Sequence, residues 1–76
     1  MLKTLHLMRK VYHVVPHFPI GWEVDDYKGV MPGGVHADKC TATLYGEELA
    51  KEEPSAMLVI HTANGMVETE YIFGER

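Results

Sequence analysis

Apolar positions along this chain recur with two different periods, and the changes of period divide it into elements. Val11 to Val15 is a β-branched and aromatic run that reads as a strand, ended by Pro16, which has no N–H to continue a ladder. "PHFPIG" then reads as a turn. "WEV" opens a partner strand with Trp22 and Val24 on one face and Glu23 on the other. "YKGVMPGGVHA" is less clear: it holds either one short strand broken around Pro32-Gly33-Gly34 or two turns in succession.

From Asp38 the period lengthens to that of a helix. Asp38 can cap it by accepting a hydrogen bond from an otherwise unpaired N–H of the first turn. Ala42, Tyr45, Gly46 and Leu49 then recur at steps of three and four, while Glu47, Glu48, Lys51 and Glu52 lie elsewhere on the surface. Glycine inside a helix costs about 1 kcal/mol relative to alanine. Gly46 on the apolar stripe therefore predicts close approach of the helix backbone to a sheet. Pro54 stops the helix, because residue 53 is biased toward extended geometry.

"AMLVIH", Ala56 to His61, is a continuous apolar run of strand length and predicts a central strand. Asn64-Gly65 supplies the positive φ for a reversal. The last strand alternates, with Val67, Thr69, Tyr71 and Phe73 on one face and Met66, Glu68, Glu70 and Ile72 on the other. These elements predict an α+β domain: an antiparallel sheet of four or five strands, with one helix packed on one face and the other face partly wet.

Composition narrows the classes. Seventy-six residues make one domain at most. A core of that size is marginal, since burial at about 25 cal/mol per Å² is nearly cancelled by roughly 1.5 kcal/mol of ordering entropy per residue. A partner or a homodimer would add stability. The single cysteine, Cys40, excludes an intramolecular disulfide framework and fits a reducing, cytoplasmic setting. "MLKTLHLMRK" lacks the unbroken apolar region of a signal peptide, and no stretch is long and apolar enough for a membrane span, so the chain is expected to be soluble and not exported. The net charge of −4 argues against a surface that grips nucleic-acid phosphates as a whole.

The order and spacing of "YHVVP", "GW.V", a helix ending "ELAKEE", and "AMLVIH..NG.V..E..FG" resemble the small bacterial and phage domain-of-unknown-function family 2188. The likeness covers a core of residues 11–74 and leaves residues 1–10 as an extension. It implies a compact β-rich domain with one helix and carries no activity, cofactor or catalytic residue. The sequence departs from the family pattern in that extension, in an apolar first turn, "HFPI", and in Leu44 and Tyr45 at helix positions that are usually alanine-rich. Phe18 and Ile20 thus stand where polar residues are expected, and beside Trp22 they predict either an apolar patch of the kind that marks contacts or side chains folded back onto the N-terminal extension to cap the sheet's edge.

Candidate chemistry is sparse. His13 and His17 are four apart, but Val14-Val15-Pro16 between them forbids a helix that would align them. His36, His61 and Cys40 would form a metal site only if folding gathered them, and no CxxC or HExxH spacing supports one. The expectation is no metal and no cofactor, with His61 a hydrogen-bonded strand end. Cys40, in the first turn of the helix, has a physical route to a lowered pKa and is more simply a small packed residue. "PGGVHAD" resembles an anion-binding turn in outline but lacks the length and the lysine of a phosphate loop. Asp25-Asp26 beside Tyr27 reads as a solvated turn after the second strand, with an acidic site as the alternative.

The function expected is a small non-catalytic protein-interaction module, an adaptor or inhibitor, docking through an exposed sheet edge or the Phe18, Ile20 and Trp22 patch on an unidentified protein or its own copy. The alternative is a nucleic-acid binder with sheet aromatics for stacking and Lys3, Arg9, Lys10 and Lys28 for phosphates. Seven Lys and Arg against eleven Asp and Glu oppose it.

Overall fold

A computed structural model describes residues 9–74. The elements run β1 (Lys10–Pro16), β2 (Trp22–Asp26), β3 (Gly29–His36), α1 (Lys39–Lys51), β4 (Ala56–His61) and β5 (Val67–Phe73). They form a five-stranded sheet in the order β3-β2-β1-β4-β5 with the helix packed on it, the α+β architecture expected. Three of the four pairings are antiparallel; that of β1 with β4 is parallel, with Tyr12 across from Leu58 and Val14 across from Ile60. A parallel neighbour requires a crossover. Here β2, β3 and the helix all lie between the two central strands in the chain.

The helix face of the sheet carries the core. Tyr12 and Val14 from β1, Val24 from β2 and Ala56, Leu58 and Ile60 from β4 are buried beneath Ala42 and Ala50. Ala42, Gly46 and Ala50, spaced by four, are the buried residues of α1, so the helix meets the sheet with its smallest side chains. Asp38 caps it as expected, its carboxylate accepting from the Thr41 N–H at 2.8 Å. Lys51 is its last residue, ahead of Pro54.

β3 is a single strand that carries Pro32-Gly33-Gly34 inside it. Glu23 pairs with Val35 and Asp25 with Val30, so Met31 to Gly34 all lie across from Val24. That bulge is possible because β3 is at the sheet edge, where a proline forfeits no ladder bond. Gly34 is required there: a Cβ would stand 2.9 Å from the Val24 carbonyl oxygen. "PGGVHAD" is therefore strand and helix cap, with no anion-binding loop. The Tyr45 hydroxyl, from α1, donates to the Pro32 carbonyl and ties the bulge to the helix.

Candidate functional site

The two edges of the sheet differ in kind. β3 is interrupted by proline, two glycines and the bulge, which are devices that discourage pairing with another chain. β5 is the opposite edge, a seven-residue strand, VETEYIF, with no proline, glycine or lysine. Its register with β4 is regular from Ala56 across from Phe73 to Ile60 across from Thr69 and shifts only at His61. Thr69, Tyr71 and Phe73 share the helix face with Ile60, Leu58 and Ala56, while Glu70 and Ile72 lie on the open face beside Val59 and Met57.

The helix packs over β1 to β4 and stops short of β5. A groove of about 560 Å³ is left between them, walled by Lys39, Cys40, Leu44 and Glu47 of the helix and by Ile60 and Tyr71 of the sheet. Lys39 forms an ion pair with Glu68 across one end. Leu44 and Tyr71 are about half exposed along the groove, as is Ile72 on the other face of β5. Leu44 thus supplies an apolar lip. The sequence signal for this site was the uninterrupted alternation of β5; the groove itself depends on where the helix ends up across the sheet.

The first-turn patch is only partly assembled. Phe18 and Ile20 are 85% and 80% exposed, in a turn that contains a cis Phe18–Pro19 peptide. Trp22 is separated from them: it packs against the core cluster, with the Lys39 ammonium 5.1 Å from its ring centre. Alternation explains this, since Trp22 shares the helix face with Val24.

Of the four cations proposed for phosphates, the three among the described residues do not form a free cluster. Lys10 is paired with Asp26 at 3.1 Å, and Arg9 donates to Ser55 Oγ at 3.4 Å. Lys28 stands 5.8 Å from the centre of the Tyr27 ring, and Lys3 lies outside the described residues. Asp25 and Asp26 are on opposite faces and make no joint acidic site. The Asp26 carboxyl is held below its ordinary range by the Lys28 backbone N–H and then by the Lys10 ammonium.

On the open face, polar side chains from three strands form a row. His17 meets Glu23 at 2.7 Å, Asp25 faces His13 across the ladder, and His13 Nδ1 lies 3.1 Å from His61 Nε2. His61 Nδ1 is 3.1 Å from the Gly65 carbonyl oxygen, to which it must donate. In the neutral ring Nε2 then carries the lone pair, and the proton between the two rings comes from His13 Nδ1. His61 is indeed a hydrogen-bonded strand end. Burial, and then the neighbouring His61, lower the His13 pKa. Asp25 is pushed up to about 6, first by burial and then by its hydrogen bond to Glu23. Sequence reasoning missed this row, because its contacts join β1, β2 and β4; the only available signal was that the residues alternate onto one face. Among the described residues no group of three or more histidine, cysteine, aspartate or glutamate side chains is placed to hold a metal ion, and His36, His61 and Cys40 stay apart.

A family model described as "Uncharacterized protein conserved in bacteria (DUF2188)" matches residues 12–73. The chain belongs to the DUF2188 family. The match takes in the edge strand, both walls of the groove and the polar row. Neither the curated proteins nor the solved structures contain a match to this chain. DUF2188 membership agrees with the resemblance read from the motifs and brings no activity with it. No helix among the described residues is long and apolar enough to cross a membrane.

Proposed function

We propose that this domain is a non-catalytic protein-interaction module that works by accepting an extended segment of a partner along the outer edge of β5. One observation carries the reading: β3, at one edge, is broken by Pro32, Gly33 and a bulge, while β5, at the other, is regular and bordered by an apolar groove. A strand laid along such an edge gains main-chain hydrogen bonds for affinity and side-chain pockets for specificity. The solvated cytoplasm is its setting, and an adaptor or inhibitor role follows naturally from a domain whose main asset is an edge. Phe18 and Ile20 then serve as a second, smaller contact.

The nucleic-acid alternative gains no support from the positions of Lys10 and Arg9, which are engaged with Asp26 and Ser55. The test is affinity capture from host lysate with the tagged full chain, run with and without nuclease, using wild type, a Tyr71→Lys/Ile72→Lys variant and a Phe18→Ser/Ile20→Ser variant. A stoichiometric protein that survives nuclease and is lost with the β5 variant is the expected result. A partner lost only with the turn variant would overturn strand addition. Recovery of nucleic acid that weakens steeply with salt would overturn the module altogether.

A further inference from the structure

The charges around β5 restrict what it can accept. Lys39 and Glu68 neutralise each other at one end of the groove. Glu47, on the groove wall, and Glu70, on the exposed open face, have neither an ion pair nor a hydrogen bond among the described residues. A strand added beside β5 would set its side chains alternately on these two faces. On the helix face they would meet Tyr71 and Leu44, both about half exposed; on the open face they would meet Glu70 and Ile72.

Resting on the strand-addition reading, we infer that the segment β5 accepts is an extended stretch of a different protein with alternating apolar and basic side chains, the apolar ones entering the groove and the basic ones meeting Glu70, with Glu47 drawing a further cation at the lip. A carboxylate directly opposite a cation across a strand pair is favourable, and opposite another carboxylate it is unfavourable. A second copy of this chain answers the site poorly. It brings a net charge of −4, and an antiparallel pairing centred on Glu70 would set the two Glu70 carboxylates against each other.

The experiment is selection of nine-residue segments from a random display library on the full chain, in parallel on wild type and on a Glu47→Lys/Glu70→Lys variant, followed by amide-exchange footprinting with the enriched peptides. Wild type is expected to enrich segments with lysine or arginine alternating with aliphatic residues, and the variant to enrich aspartate or glutamate at the same positions. Glu70→Gln alone should weaken an enriched basic peptide about two- to five-fold, the range of an exposed charge pair. Enrichment of the same charge-neutral segments by both proteins, with protection along β5, would overturn the charge inference and leave strand addition standing. Protection at the β1–β2 turn or elsewhere, with β5 unchanged, would overturn strand addition itself.

Discussion

Gly46 of the helix lies directly over Leu58 of β4: a Cβ added at residue 46 would stand 2.8 Å from Leu58 Cδ1 and 3.5 Å from Val14 Cγ2. Both of those side chains are fully buried, so neither can swing aside into solvent. Gly46→Ala would gain about 1 kcal/mol of helix propensity. Overpacking a close-packed core typically costs about 1–3 kcal/mol. The net expectation is a loss of roughly 1 kcal/mol, and Gly46→Val should lose considerably more. Urea unfolding of the two variants checks this; a stabilised Gly46→Ala would mean that the helix can lift off the sheet at no cost.

The row on the open face makes stability depend on pH in two opposing ways. Asp25 has a folded pKa of about 6, above its ordinary value of 3.8, so the folded state holds its proton more tightly than the unfolded chain. Its contribution is complete below about pH 4 and is lost as pH rises through 6. His13 is shifted the other way: its folded pKa lies below 6.5, so its contribution is present above that value and is lost as pH falls. Asp25→Asn should therefore raise the melting temperature at pH 7.5 and leave it nearly unchanged at pH 4. Thermal melts across that range decide the matter, and an Asp25→Asn variant less stable than wild type at pH 7.5 would contradict the burial described.

His36 offers a third test. Among the described residues its Nε2 is buried with no hydrogen-bond partner, and its ring lies 5.2 Å from that of Tyr45, tilted by 50°. An unsatisfied buried polar atom carries a desolvation penalty of about 1–3 kcal/mol, and an apolar replacement of similar shape removes it. His36→Phe should leave the domain as stable as wild type or up to about 1 kcal/mol more stable. A loss above that size, in denaturant unfolding, would show that Nε2 has a partner in solution.

Phe18 and Ile20 should be dispensable for folding while the helix-face residues are not. Substitutions at exposed sites usually change stability by less than about 0.5 kcal/mol, whereas truncating a fully buried leucine costs about 2–5. Phe18→Ser/Ile20→Ser is thus expected to melt with wild type, and Leu58→Ala to be largely unfolded. Circular dichroism melts measure both. A turn variant that melts much earlier would place those side chains against the body of the domain.

The elements legible in the sequence are those set by local chemistry. Asp38, Pro54 and the steps from Ala42 to Leu49 place the helix; Asn64-Gly65 and the alternation after it place β5. β3 was ambiguous, because Pro32-Gly33-Gly34 reads as a break, and only the edge position lets the strand continue through it. The parallel pairing of β1 and β4 was not legible, since it joins residues as far apart as Lys10 and Ala56. For the same reason the sequence grouped Trp22 with Phe18 and Ile20 by proximity, whereas strand alternation sends Trp22 to the core. Of the site, Glu70, Tyr71 and Ile72 could be placed on an alternating strand, but its edge position and the groove depend on strand order and on the helix stopping short of β5, and only tertiary packing determines those.

The parallel centre of the sheet has a consequence for synthesis on the ribosome. Chain emerges from the amino end, so β1, β2, β3 and the helix are all available before Ala56 has been made. Until β4 arrives, Tyr12 and Val14 have no strand on one side, and the helix rests on half a core. Because long-range pairing must wait for its distant partner, such topologies form late and leave apolar surface open in the interval. A nascent chain stalled at Pro54 would therefore expose this half-built core, and emergence of β4 and β5 would complete the domain in one cooperative step.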